Sequence, residues 1–496
     1  MHTLTDTPVQ RLDQVLAAAE HAATVLEEGP VGLRVAGLRA IADVLDENVE
    51  RLVTIAEAET NLPTGRLTGE VARTTGQQRL FAAGLEDGSW SDVIIDTADP
   101  DATPVPRPDL RRAQLPLGPV LVFAAGNFPF AFSVAGGDTA AALAAGCPVV
   151  VKAHPGHPET SRVTAELVAS ALADAGLPEG AFALIEGVEA GVTALQDRRI
   201  RAGGFTGSLS GGRALHDIAR NRPDPIPFFA EMGSVNPVFV TTEAVRARGE
   251  EIVAGFTGSY TLGVGQFCTK PGLLFLPAGH GLEDRLVEAA RGVAGGRMLD
   301  ERIHATHADI RATLTGRPGV RTLVADTADA DGLAGPALLA TDVRSLLADA
   351  DHLVTECFGP TSIIVEYDDM AEAVEAASAL PGSLTATIHA EDGESGLTDL
   401  LRELRARAGR LVWNGWPTGV AVAPAMHHGG PYPATMDGAH TSVGLTAIRR
   451  FQRPVCYQDY PESLLPDVLK DENPQRVLRR VNGQLTTEDV RSVCGS

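Results

Sequence analysis

The sequence predicts an α/β protein in which a run of helices precedes two successive blocks of alternating strands and helices. Three observations carry this. Residues 8–86 place their apolar residues at helical spacing. From Gly118 the chain changes to short apolar runs of strand length, separated by Ala-rich or amphipathic stretches. A second pattern of the same kind occupies residues 228–425. Strand, helix and strand in series give parallel strands joined by right-handed crossovers. The first block therefore reads as a doubly wound unit, with a ligand expected at the carboxyl ends of its strands.

Taken in order, Leu12, Val15, Leu16, Ala19 and Ala22 form one helical face, and Leu38, Ile41, Leu45 and Leu52 another. Asp96 to Arg112, with Pro100, Pro104, Pro106 and Pro108, is a break or extended connector whose Arg107, Arg111 and Arg112 are expected to face solvent. Leu115 to Gly137 carries no charge, but Gly118, Pro119, Gly126, Asn127 and Pro129 rule out a continuous lipid-facing helix. It reads instead as a buried strand at 120–125, a turn, and a small-residue helix from Phe132 to Ala145, ended by Gly146. A strand at Pro148–Lys152, a helix at 160–175, a strand at Ala181–Ile185, a strand end at Gly203–Ser208 and a helix from Gly212 to Ala219 complete the block. No GxGxxG follows a strand. Gly207, Ser208, Gly211 and Gly212 supply a glycine-rich helix start suited to a phosphate, although such turns are also glycine-rich for steric reasons.

In the second block, Gly265-Gln266-Phe267-Cys268-Thr269-Lys270-Pro271-Gly272 places one thiol between a helical stretch, Glu251 to Leu262, and a buried strand, Gly272 to Leu276. A lone cysteine is ordinarily a small core hydrophobe; the company of other motifs changes that balance. Residues 283–350 read as helical and Ala-rich, Ala425 to Tyr460 is rich in Gly, Pro and His, and Pro466 to Ser496 reads as a polar surface tail.

Composition narrows the function classes. With 64 acidic against 41 basic residues, the formal charge is −23, which argues against nucleic-acid or anionic-membrane surfaces. Cys147, Cys268, Cys357, Cys456 and Cys494 form no CxxC, so neither a zinc site nor a disulfide framework is expected, and no His/Asp/Glu cluster has metal spacing. The amino-terminal residues lack a signal-peptide layout, so the expectation is a cytoplasmic protein without a membrane span.

Five motifs occur in order: Asn127-Phe128-Pro129, Phe205-Thr206-Gly207-Ser208, Glu231-Met232-Gly233, Gly265-Gln266-Phe267-Cys268 and Glu356-Cys357-Phe358-Gly359-Pro360. Together they resemble the aldehyde dehydrogenase superfamily, from the amino-terminal helices to about Arg450. Lys152-Ala153-His154-Pro155, Pro431-Tyr432-Pro433-Ala434-Thr435 and Arg453-Pro454-Val455-Cys456-Tyr457-Gln458 resemble, more narrowly, the α-ketoglutaric semialdehyde (2,5-dioxovalerate) dehydrogenases and related fatty aldehyde dehydrogenases. The resemblance implies a Rossmann-like cofactor domain (1–95 and 116–230), a catalytic domain (231–425), and an oligomerisation element with a carboxyl-terminal segment (96–115 and 426–496). A homodimer or homotetramer is implied as well.

The chemistry explains the residue types. An aldehyde gives up hydride more readily once a thiolate has added to it, because the oxyanion of the thiohemiacetal drives hydride out. The resemblance makes Cys268 that nucleophile. It assigns the oxyanion to the side-chain amide of Asn127 and the backbone N–H of Cys268, and assigns hydrolysis of the resulting thioester to Glu231 as general base. It places Lys152, His154, Pro155, Gly207, Ser208, Gly212, Glu356 and Phe358 about the cofactor, with Glu356 on the nicotinamide ribose. Phe128, Gln266, Phe267 and Thr418 are placed about the substrate, and no metal is implied. Where many members carry a ribose-gripping glutamate three residues after the lysine, this chain has Pro155, which removes a barrier to a 2′-phosphate. Lys152, His154 and His157 stand near to receive one, so NADP is expected, with NAD possible; Glu186 and Glu189 oppose it. Where some relatives hold a substrate carboxylate with an arginine four residues after the catalytic asparagine, this chain has Ala131.

Each residue also has a plainer reading. Asn is favoured at a Gly-Asn turn for local hydrogen bonding alone, Glu356 would serve as a surface acid, and the other four cysteines are bystanders. The alternatives are a fatty aldehyde dehydrogenase, a catalytically silent protein of the same fold, and a Cys–His hydrolase. For the last, His427, His428 and His440 are the candidates, in a Gly/Pro-rich setting with no protease-like pattern.

Overall fold

The computed structural model describes residues 6–326 and 332–494. Four helices open the chain: Val9–Glu28, Val31–Glu47, Val49–Thr60 and Thr64–Asp87. Pro8, Pro30 and Pro63 stand immediately before three of them, with φ already near the helical value and no N–H to leave unpaired. Asn61 and Gly88, both left-handed, end the last two. The two expected apolar faces are buried. Leu52, however, lies on a separate helix from Leu38, Ile41 and Leu45, because the chain breaks at Asn48.

Val9–Glu28 packs on the first sheet, whose strands are all parallel, and the other three pack on the crossover helices Gly137–Ala145 and Pro158–Asp174. The order of this sheet is Phe182–Ile185, Val149–Lys152, Val120–Phe123, Ala202–Thr206, Phe228–Glu231. The order reverses between Val120–Phe123 and Ala202–Thr206, so a crevice opens at their carboxyl ends. The helix expected from Phe132 begins only at Gly137. The backbone N–H groups of Phe130 and Ala131 instead donate to the buried carboxylate of Glu70, at 2.8 and 2.9 Å, and this holds residues 128–136 in turns.

The second sheet has seven strands: Arg321–Val324, Ala337–Asp342, Thr361–Tyr367, Leu273–Pro277, Val238–Val240, Ser383–His389 and Ala408–Trp413. All pair in parallel except the edge strand Arg321–Val324. Two of these strands correct the reading of 283–350 as helical throughout. Leu338 to Ala340 is a continuous apolar run, buried on both faces, and such a run has no alternation to betray it.

A third sheet joins distant segments: Gln452–Gln458, Leu110–Pro116, Val93–Asp96, Arg479–Val481 and Gln484–Thr486. It overturns two expectations. The segment from Pro466 is no surface tail, since Leu469, Arg479, Val481 and Val490 are buried; only residues 495 and 496 of it lie outside the described residues. Arg111 does not face solvent either. It pairs with Asp109 at 2.8 Å and Asp471 at 2.9 Å, and donates to the Leu469 carbonyl at 2.8 Å. Asp471 and Leu469 lie more than 350 positions away, beyond the reach of local pattern.

The Gly/Pro/His segment has a positioning task. It runs beside the strand Phe228–Glu231, with Met232 N–H donating to Ala434 at 2.8 Å and Met436 N–H to Ala230 at 3.0 Å. A Cβ on Gly430 would lie 2.2 Å from the Ser383 carbonyl oxygen, so this path requires glycine.

Candidate active site

A cleft enclosing about 1310 Å³, open to solvent, lies at the crevice of the first sheet. Its wall includes Asn127, Lys152, His154, Pro155, Gly207, Ser208, Glu231, Cys268, Glu356 and Phe358. The fold thus brings together most of the residues singled out from sequence. Gly212 lies just behind the wall, where a Cβ would meet Met232 at 2.6 Å.

The cysteine loop is held by backbone that few sequences adopt. After the helix Thr242–Thr261 the chain takes positive φ at Gly263, Val264 and Gly265. A Cβ on Gly265 would stand 2.3 Å from the Gly359 carbonyl. Val264, β-branched at φ +58°, is strained by roughly 1–3 kcal/mol. Asn236, fully buried, holds the other side, its Nδ2 donating to the carbonyls of Cys268 at 2.7 Å and Lys270 at 3.0 Å. Sequence reading missed Asn236. Its one signal is the residue type, two positions after Ser234: asparagine tolerates the positive φ found here.

Sequence reading also misplaced His428. The histidine considered only for a hydrolase stands with Nε2 3.5 Å from Cys268 Sγ and 2.9 Å from Glu231 Oε1. Ser442 Oγ donates to Glu231 Oε2 at 2.6 Å. The three groups that no sequence spacing suggested as a cluster therefore converge within 4.8 Å. Burial works to raise the Glu231 pKa, but His428, Ser442 and the Cys268 thiol outweigh it and hold the carboxyl below the usual range. Burial pushes the Cys268 thiol well up, and the charges of Glu231 and Glu356 add to that against Arg73. The resting sulfur is a neutral thiol with a proton acceptor at hand.

Glu356 shows the fit for a cofactor. Its carboxylate lies so near Gly233 that a Cβ there would come within 2.4 Å of Oε2. Burial lifts its pKa to about 7, against the pull of Lys270 and the Ser234 backbone. A carboxylate kept at the edge of ionisation on a cleft wall is suited to accept ribose hydroxyls.

The aldehyde dehydrogenase family model matches residues 1–444. The chain belongs to the aldehyde dehydrogenase family. It is 47% identical over 462 residues to α-ketoglutaric semialdehyde dehydrogenase 2 of Azospirillum brasilense, covering 92% of this chain and 88% of that one. It is 44% identical over 483 residues to α-ketoglutaric semialdehyde dehydrogenase of Acinetobacter baylyi, covering 96% and 92%. Methylmalonate-semialdehyde dehydrogenase of Oceanimonas doudoroffii shares the fold, with a TM-score of 0.77 at 18% identity over 92% of each chain.

This aldehyde dehydrogenase departs from the sequence expectation at three side chains. The Gln266 side chain is committed to the loop: Oε1 accepts from Leu299 N–H at 2.9 Å and Nε2 donates to Gly263 O at 3.2 Å, so it braces the backbone. The Thr418 hydroxyl is taken up by Ser259 at 2.7 and 3.0 Å. His157 is fully buried, bonded to Ala125 O at 2.9 Å and Ser161 Oγ at 3.2 Å, and is unavailable to a phosphate. Phe128 and Phe267 meet edge to face at 5.4 Å. Of the other cysteines, Cys147 and Cys357 are buried and Cys456 is exposed; the side chain of Cys494 lies outside the described residues. Among the described residues no helix is long and apolar enough to cross a membrane.

Proposed function

We propose that this aldehyde dehydrogenase oxidises α-ketoglutaric semialdehyde to 2-oxoglutarate with NADP, through a thioester on Cys268. The observation that carries the chemistry is the contact of Cys268, His428 and Glu231, together with the 44–47% identity to enzymes of that name. Sγ gives its proton to the His428–Glu231 pair as it bonds to the aldehyde carbon. The new oxyanion is met by the Cys268 N–H and by Asn127, whose Nδ2 already donates to Gln266 O at 3.1 Å and keeps a second N–H. The nicotinamide, when bound, supplies the hydride acceptor. Glu231 then takes a proton from the water that attacks the thioester, and the C–S bond breaks to return the thiol. Mixing aldehyde, protein and NADP and following reduced nicotinamide tests this reading; acid released without any cofactor would mark a hydrolase instead.

Three observations support NADP. Lys152 and His154 line the cleft beside Pro155, and Arg302, which sequence reading missed, joins them. Glu186 is already paired with Arg162 at 2.7 Å, so one of the two opposing acids is largely neutralised. NADP should be used at least as well as NAD, and Arg302→Ala should lower kcat/KM for NADP more than for NAD. A hundredfold preference for NAD, about 2.7 kcal/mol, would show that Glu189 and its neighbours decide.

Glu356 should make cofactor binding depend on pH. Its folded pKa near 7 lies above its ordinary value, and ribose hydroxyls are accepted by the ionised form. Affinity should therefore be full above about pH 7 and fall as pH drops through it. Titration calorimetry from pH 6 to 8 should show this slope, and Glu356→Gln should flatten it. A wild-type profile without slope would remove Glu356 from the ribose.

We further infer a homodimer or homotetramer in the cytoplasm. The third sheet supports the assembly: its outer strand Gln452–Gln458 is largely exposed, an edge that natural proteins seldom leave open. Sedimentation velocity would reveal a monomer if this is wrong.

A further inference from the structure

The helix Thr64–Asp87 turns charge toward the site. Arg66, Glu70 and Arg73 share one face at helical spacing. The Arg66 guanidinium lies 5.0 Å from the Phe128 ring centre and 4.6 Å from that of Phe267. The Arg73 guanidinium lies 5.0 Å from Phe132. Phe132 packs on His428 at 6.0 Å, and His428 touches the thiol. Both cations thus back the aromatic wall around Cys268.

Their hydrogen bonding is incomplete. Arg66 Nη2 donates to Asn127 O at 2.7 Å and Arg73 Nε to Val420 O at 3.3 Å. Arg66 Nη1 and both terminal nitrogens of Arg73 are shielded from solvent with no hydrogen-bond partner. Glu70, the acid between them, spends one oxygen on two backbone N–H groups and leaves the other unpaired, so neither guanidinium is met by a hydrogen-bonded carboxylate. By contrast, Arg410 uses its terminal nitrogens on the carbonyls of Gly419 and Pro417. Shielded guanidinium ends without acceptors are costly, and their planar fork matches a carboxylate.

We propose that Arg73, with Arg66 beside it, forms the subsite that receives the carboxylate of an acidic aldehyde, in place of the arginine that Ala131 does not supply. This deepens the function proposed above and rests on it for the identity of the substrate. The bound carboxylate supplies the missing acceptors, while the aromatic rings cover the methylenes between it and Cys268. An apolar aldehyde would leave the Arg73 fork unsatisfied, which selects against the fatty aldehyde alternative.

The test compares 2,5-dioxopentanoate with pentanal, a neutral aldehyde of equal length. Wild type should favour the acid. In Arg73→Leu the ratio of the two kcat/KM values should fall by about 100-fold, the scale of charge-assisted hydrogen bonds; Arg73→Lys, which keeps charge but loses the fork, should fall between. A second measurement needs no cofactor: glutarate should protect Cys268 from iodoacetamide in the wild-type protein, and fail to do so in Arg73→Leu. Equal losses on both aldehydes with protection unchanged would overturn the subsite. A wild type that oxidises neither aldehyde, yet is protected by glutarate, would overturn the assigned reaction and keep the subsite.

Discussion

Cys268→Ala should fold, bind the cofactor and lose aldehyde oxidation by at least about 10³-fold. The reaction needs a group that adds to the aldehyde and later leaves, and among the described residues only this thiol stands in the cleft. Cys147 is fully buried, and burial raises it to about 11. Cys357 is buried as well and Cys456 is exposed, so alanine at either should leave turnover near wild type. The loop itself should survive the change. It is fixed by Asn236, Gly265 and the Gln266 side chain rather than by the sulfur, and the melting temperature should move little. The measurement is reduced nicotinamide formed per enzyme at saturating aldehyde. Turnover of even a tenth in the alanine variant would mean that hydride leaves without a covalent intermediate.

What was legible in the sequence is what local pattern encodes. The strand-length apolar runs at 120–125, 148–152 and 181–185 pointed to three strands of the first sheet, each within two residues of its observed bounds, and five short motifs in order pointed to the family. That Asn127, Glu231 and Cys268 would stand in one cleft was legible because each lies near a strand or helix end with small residues around it. What stayed hidden was long-range. His428 reaches Glu231 only because the Gly/Pro-rich chain from 425 to 442 runs beside the strand Phe228–Glu231, and nothing near His428 in sequence announces that path. The buried Arg111 and Arg479 looked like surface cations because the residues that satisfy them are supplied by tertiary contact. The same limit hid Arg66 and Arg73. Cations on a helix of mixed composition ordinarily face solvent, and only the position of the Phe128–Phe132 turn shows that this face looks inward.

Glu231→Gln should separate the two halves of the reaction. The amide keeps the shape and can still contact Ser442 and His428, but it cannot take a proton from water. Loss of a general base typically costs 10²–10⁴-fold, and here the loss should fall on thioester hydrolysis. His428, 3.5 Å from the sulfur, remains to accept the thiol proton in the first half. Rapid mixing should therefore show a burst of reduced cofactor of about one equivalent, followed by a slow steady state. Wild-type Glu231 is held ionised by His428 and Ser442 despite its burial. Because its folded pKa is depressed, its stabilising contribution is present above the ordinary glutamate range and is lost as pH falls through the lowered value. Steady-state turnover limited by this base should then persist at mildly acidic pH. His428→Gln discriminates the roles further. It leaves the carboxylate as base but removes the imidazole that shares the thiol proton with it, so the burst itself should slow. If Glu231→Gln leaves the steady-state rate unchanged, hydrolysis uses another base, and the contact with His428 would then serve only to hold that histidine against Cys268.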